Sequence, residues 1–468
     1  MADLSHPFEL KIFEFLRHLS VRKKLELISG IESFSRNKGF LHRIHSKAEA
    51  TAHPIALTPF IIPETVVLQC QRLARAVYNF QIKLPGLYRN NAAGIRRILP
   101  LSNRSKYWLD IYKGLADSNK NLLLRLDTTL VRDQKTKSLY PVLFENNSTA
   151  LAGLYNHTIG ADILDHFVLS KISFKENKVV SAPSLLNFLN KWLEKSSGPD
   201  NRGLAFLEDF PIEKDFGEIP RIAEYFQRRG FEVAHCHPKD LKFIGKEVVL
   251  NGVAIDLIYR DLAYKNIPTG NYGAGLKTMI KKDKVIPGFS AEFGHKGILE
   301  CLTSWEYRRF FTEKELAIFK KSVPWTRVIY RRKTESAVPA SRQEKEKRVD
   351  LIYYIRENKK DLVIKPNLDA GGAGVVFGKD ANDRCWDGMI KRALEEKGEW
   401  VVQKAIESPT KKMAYLKDGR LYFDDCYFTF GIFYFNNQVG LHCRISPFKV
   451  ANVGRGGALA CVFIDKGK

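Results

Sequence analysis

Two short apolar segments, Leu124-Arg125-Leu126-Asp127 and Phe144-Glu145-Asn146-Asn147, flank the polar, turn-like stretch Val131-Arg132-Asp133-Gln134-Lys135-Thr136-Lys137-Ser138. No other feature restricts the fold as much. The segments read as the arms of a β-hairpin with a longish loop. If the loop is centred near Thr136, Asp127 falls opposite Glu145 and Arg125 opposite Asn147. Side chains two apart share a face, so all four converge. Two carboxylates directly across a ladder repel each other, and a chain that keeps that pairing usually has a cation between them. Asp127, Glu145 and Asn147 are hard oxygen donors of the kind Mg²⁺ prefers, and that ion completes its shell with waters and substrate phosphates. The alternative is a solvated edge hairpin with an Arg–Asp pair. A two-residue slip would keep the face and change the partners.

With 468 residues, 44% of them hydrophobic, the chain is long enough for two or three domains with real cores. No run approaches the roughly 18 to 20 apolar residues of a membrane span, and residues 1–28 lack a signal-peptide core, so a cytoplasmic protein with no membrane partner is expected. The seven cysteines are scattered and form no CxxC. Reduced, mostly buried thiols are expected, not a disulfide framework or a zinc cluster. His235-Cys236-His237 has the ligand types of a metal site but no second ligand pair nearby. The 75 basic and 52 acidic residues give a formal charge of +23, which favours contact with anions. Much of the excess lies in residues 277–284 and 327–360. These basic residues are not interleaved with aromatics, so nucleic acid is possible but not favoured.

Residues 1–100 read mainly as a helical region, with Phe8-Leu10-Ile12-Phe13-Phe15-Leu16 and Val66-Leu68-Leu73-Val77-Phe80 at apolar spacing. Residues 101–200 hold the hairpin, and Ser148 is placed to cap a helix running through Leu151, Leu154, Tyr155 and Ile159. That helix end, with free amides beside the hairpin, would favour phosphate. Residues 201–330 read as an α/β domain: a strand at 204–207, an amphipathic helix at 219–230, a strand from Phe231, then Glu247 to Leu250 and Val253 to Tyr259 about an Asn251-Gly252 turn. A basic linker, 331–360, leads into 361–468.

In that last third, Leu362-Val363-Ile364-Lys365-Pro366 enters a glycine cluster containing Gly371, Gly372 and Gly374, and a second strand-like segment leaves it. A dinucleotide fold or P-loop needs a helix there. A glycine hairpin over phosphates fits better, with backbone amides approaching the anion and Lys365 neutralising it, although a plain glycine turn has the same pattern. Gln403 and Lys404 end a strand that opens into a hinge-like stretch. A hairpin about Asn436-Asn437 ends in Arg444, and a short loop from Asn452 follows; Arg444 and Asn452 could reach a transferring phosphoryl group.

Taken together these segments resemble the circularly permuted ATP-grasp ligases, and are similar to the synthetase domain of glutathionylspermidine synthase. The resemblance covers about residue 100 to the end. It rests on Arg125-x-Asp127, Glu145-x-Asn147, residues 203–260, Leu299 to Thr303, Pro324 to Arg327, Ile364-Lys365-Pro366 with the glycine loop, Gln403, and 444–457. The order is the specific part, because Glu-x-Asn precedes the lysine and glycine loop. The resemblance implies an α+β, circularly permuted ATP-grasp fold with a Rossmann-like domain. It implies that Asp127, Glu145 and Asn147 hold Mg²⁺ against ATP, that Arg125 steadies an acyl phosphate, that Lys365 and Lys404 contact phosphates, that Ala370 to Gly374 forms a lid, and that Arg444 holds the γ-phosphate. The acidic, proline-containing continuation of glutathionylspermidine synthases is missing, as is an amidase domain, so glutathione and spermidine are not implied. The expected activity is an ATP- and Mg²⁺-dependent ligase joining a small carboxylate to an amine or thiol. The alternatives are a non-catalytic nucleic-acid or anion binder on the same scaffold, and an ATP-grasp phosphotransferase.

Overall fold

The hairpin forms in the expected register. Leu124–Arg132 and Leu139–Asn147 pair antiparallel, with Arg125 opposite Asn147 and Asp127 opposite Glu145. A register shift after Asp127 leaves Phe144 without an opposite residue, a bulge that re-aims its neighbours. The computed structural model describes residues 4–42, 50–115, 121–172, 178–197, 203–208, 217–244, 247–250, 252–267, 269, 274–337, 348–368, 372–453 and 456–467. Gly371, Gly454, Arg455 and residues 338–347 of the basic linker lie outside them.

The hairpin is the edge of a seven-stranded sheet ordered Thr410–Lys417, Ile55–Ala56, Ala458–Ala460, Gln438–Ser446, Arg420–Phe435, Leu124–Arg132, Leu139–Asn147. Arg420–Phe435 is long enough to pair with Thr410–Lys417 through its first half and with both central neighbours through its second. A separate antiparallel sheet, ordered Thr326–Val328, Trp400–Lys404, Leu362–Pro366, Val376–Phe377, carries the glycine turn between its last two strands. Trp325, Trp386, Trp400 and Ile364 form the core on its far side. The chain also has the expected parallel unit, a four-stranded sheet ordered Val285–Ile286, Leu257–Arg260, Gly203–Leu207, Glu232–Cys236. The architecture is therefore mixed α/β.

Three local expectations are corrected. The helix after the hairpin spans Leu154–Phe167 and is preceded by Gly153 rather than capped by Ser148. The Ser148 hydroxyl donates instead to the Ala291 carbonyl at 2.8 Å, and the amides of Gly153 and Asn156 are taken by the Glu218 carboxylate at 2.5 and 2.8 Å, so this helix end already holds an anion. Val253 to Tyr259 is not one strand: Val253–Ala254 closes a small antiparallel sheet and Leu257–Arg260 enters the parallel one. The N-terminal region contributes strands as well as helices, because Ile55–Ala56 and Phe60–Pro63 pair in parallel with C-terminal strands.

All seven cysteines are free thiols, and only Cys385 is exposed. His235 bonds to Glu208, and His237 accepts the amide of Lys239, so the His-Cys-His run is divided among structural tasks. Among the described residues no helix is long and apolar enough to cross a membrane.

The first helix, Pro7–Arg17, buries Ile12, Phe13 and Leu16 together with Glu9. Glu9 accepts from the Lys411 ammonium at 2.6 Å and from the Ile61 amide at 2.5 Å, joining three distant segments. Removing one partner of such a buried pair strands the other charge. Glu9→Ala should lower stability by about 3–5 kcal/mol, whereas Glu9→Leu with Lys411→Met should recover most of that loss in urea unfolding.

Candidate functional site

In the central strands Gly431 lies opposite both Asp127 and His442. A Cβ at 431 would stand 2.2 Å from the His442 ring, so no side chain fills the ground between Asp127 and Arg444. Arg444 reaches across it and donates Nη2 to Asp127 Oδ2 at 2.6 Å. Arg125 donates Nε to Asp127 Oδ1 at 3.0 Å, and Asn147 donates Nδ2 to Oδ2 at 3.3 Å. Burial alone would raise the Asp127 carboxyl, but the two guanidiniums outweigh it and hold the group below its usual range. His442, buried beside them, is kept neutral by burial and by Arg444 and Arg125. Asp127, expected among metal ligands, thus has both oxygens committed to arginines. The oxygens left for a cation are the Asn147 carbonyl, whose amide nitrogen is the part that bonds to Asp127, and the Glu145 carboxylate, which pairs with Lys296 at 3.2 Å.

The facing wall comes from the four-stranded sheet. Lys365 is buried, donating to Gln403 Oε1 at 2.6 Å, while Gln403 Nε2 donates to Thr326 Oγ1 at 2.9 Å. Burial brings the Lys365 ammonium down to about 7; Glu145 pulls it upward and Lys296 pushes it down. Lys296, which the sequence reading missed, sits 3.2 Å from Glu145 and is itself buried. Its signal in the sequence was weak, because Glu292, His295 and Glu300 share the segment from Phe289 to Leu302 with it. Lys449, also missed, pairs with Asp380 at 2.6 Å.

Arg125, Asp127, Glu145, Asn147, Lys365, Gly372, Gln403, Arg444 and Asn452 line one cleft between the two sheets, together with Lys296, Lys449, Phe144 and Phe377. Gly372 has φ of +73°, and a Cβ there would meet Val450 at 2.5 Å, so the turn can lie this close to the Val450 segment only with glycine. Gly374 belongs to the same turn but does not line the cleft, and Gly371 is outside the described residues. Lys404 departs from expectation: it is exposed and lines a different cavity beyond the hinge, because the strand alternation that turns Gln403 inward turns Lys404 outward. Arg125, Arg444, Lys296 and Lys449 outnumber the two carboxylates of the cleft, and Lys365 adds positive charge when it is protonated. No group of three or more His, Cys, Asp or Glu side chains suited to a metal occurs among the described residues, so a cation here would depend on Glu145, the Asn147 carbonyl and ligand oxygens.

No protein-family model matches the chain, and no curated protein matches it in sequence. The fold has a solved counterpart. A glutathione synthetase-like effector from Globodera pallida, in its apo form, aligns over 96% of this chain and 98% of its own with a TM-score of 0.63 at 13% identity. A candidate gamma-glutamylcysteine synthetase from Methylobacillus flagellatus aligns over 83% and 88%, also at 13% identity, with a TM-score of 0.39, too low to carry weight. Neither is a glutathionylspermidine synthase. The chain shares the fold of that glutathione synthetase-like effector.

A polyphosphate in the cleft would draw Lys365 back to its charged form. Near pH 8 Lys365 is largely neutral, so tripolyphosphate binding should take up close to one proton, and near pH 6 almost none. Calorimetry in buffers of different ionisation enthalpy measures this; unchanged uptake in Lys365→Met would reject Lys365 as the source.

Proposed function

We propose that this protein is an ATP- and Mg²⁺-dependent ligase that joins a small carboxylate to an amine or thiol through an acyl phosphate, on a circularly permuted ATP-grasp scaffold. One observation carries the reading: a carboxylate and amide pair from residues 145–147 and a buried lysine with a glycine turn from residues 365–374 face each other across one cleft, in the permuted order. The glutathione synthetase-like neighbour supports the ligase class.

The donor set fits Mg²⁺ and nucleotide. Glu145 and Asn147 offer hard oxygens without enclosing the ion, as suits a metal shared with phosphates. When bound, the metal would neutralise phosphate charge. Lys365 and the Gly372 turn would hold the nucleotide phosphates, and Phe144 and Phe377 provide apolar surface for its base. The reacting carboxylate oxygen bonds to the γ-phosphorus as ADP leaves; the amine then bonds to the acyl carbon, phosphate leaves, and the amine sheds a proton. Arg125 and Arg444 are already oriented by Asp127, so they can meet the charge that develops on the transferring phosphoryl group without reorganising. Metal binding falls to Glu145 and Asn147, with Asp127 as the positioning group. Buried free thiols fit a reducing compartment such as the cytoplasm.

Incubation with ATP, Mg²⁺ and pools of amino acids, thiol peptides and amines should release ADP and phosphate in equal amounts with a condensed product. Loss of Glu145 or of the Asp127 charge should slow turnover by roughly 10²–10³-fold, the scale of a lost transition-state contact. Full turnover in Glu145→Gln and Asp127→Asn would sink the assignment. ADP released with a phosphorylated acid and no condensation would instead identify a phosphotransferase.

A further inference from the structure

A second cavity of about 770 Å³ lies beyond the hinge, and it shares only Ile406 with the cleft. One wall is Val131, Tyr140 and Val142 of the hairpin; another is the helix Glu313–Ser322, and the hinge residues Lys404 to Glu407 close one side. Its volume falls within the roughly 300–1,000 Å³ typical of small-molecule sites. The cleft chemistry uses none of it.

Its composition is specific. Trp305, 48% exposed, stands on the wall, although a residue of this size is usually covered. Its backbone is anchored: the main-chain amide donates to Glu335 at 2.8 Å, and Glu335 is gripped by buried Arg327 at 3.0 Å. Cations ring this aromatic surface. Lys321 is engaged by Asp133 at 3.7 Å and Arg308 by Glu313 at 3.5 Å, whereas Lys320 and Lys404 enter none of the ion pairs among the described residues. Glu407 is the one acidic lining residue besides the paired Glu335.

We propose that this cavity is a second ligand site, for a small planar anion whose ring lies on Trp305 and whose acidic group is held by Lys320 and Lys404. The exposed indole offers stacking area, and two lysines without acidic partners among the described residues supply charge that a neutral ligand would not use. The site stands independently of the ligase reading, since no residue assigned to that chemistry takes part.

The test uses 8-anilinonaphthalene-1-sulfonate, a fused aromatic ring bearing a sulfonate, titrated into the full chain by fluorescence. Trp305→Ala should weaken binding about tenfold, Trp305→Phe less than threefold, and Lys320→Glu with Lys404→Glu about tenfold or more. All three positions carry exposed side chains, so unfolding temperatures within a few degrees of the parent confirm that the fold persists. Arg444→Ala, at a side chain that lines the cleft and not this cavity, should leave probe affinity within twofold. Unchanged affinity in Trp305→Ala or in the double lysine variant overturns the proposal, as does loss of the probe in Arg444→Ala.

Discussion

The contact on which the cleft depends is the Asp127 carboxylate held between Arg125 and Arg444. Arg444 and Asp127 are 317 residues apart in sequence, so this one hydrogen bond at 2.6 Å joins the early hairpin to a late strand. A lone buried carboxylate would be neutral, and two lone guanidiniums would splay into solvent. Together they stay charged. The group has one anion for two cations, so it holds both arginines in place and still leaves net positive charge facing the cleft. In the proposed reading, that charge is in place before a phosphoryl group arrives.

The opposite wall reaches a similar end by different means. Lys365 has no carboxylate bonded to it; its neutral partner Gln403 is fixed by Thr326. Burial therefore weakens its charge instead of securing it, and an incoming anion restores it. One wall is permanently cationic and the other becomes so on binding. Lys296 links the two through Glu145, and a cation arriving at Glu145 would compete with that lysine for the same carboxylate.

Period-two alternation and turn chemistry made the hairpin, the glycine turn and the βαβ unit readable, because each is decided by neighbours in sequence. Asp127 opposite Glu145 followed from the loop centre alone. What the sequence could not reveal were competitions between distant groups. Ser148 has the chemistry of a helix cap, but a buried carbonyl at Ala291 takes its hydroxyl and Glu218, 65 residues from Gly153, caps the helix instead. Asp127 has the chemistry of a metal ligand, and only the arrival of Arg444 shows that its oxygens are spent. Lys404 failed for a local reason: it follows Gln403 in a regular strand, whose alternation turns Gln403 inward and Lys404 outward.

The charge of +23 is divided between two situations with different consequences. Surface lysines and arginines bind any polyanion through counterion release and lose it with salt. The cleft cations are different, because Lys296 and Lys365 are buried and Arg125 and Arg444 are tied to Asp127, so they cannot track an extended phosphate backbone. A nucleic-acid strand could not reach them without opening the space between the sheets. A compact polyphosphate could, and the glycine at 372 keeps the approach narrow. In the proposed reading the interior charge serves a small ligand, whatever the exterior charge attracts.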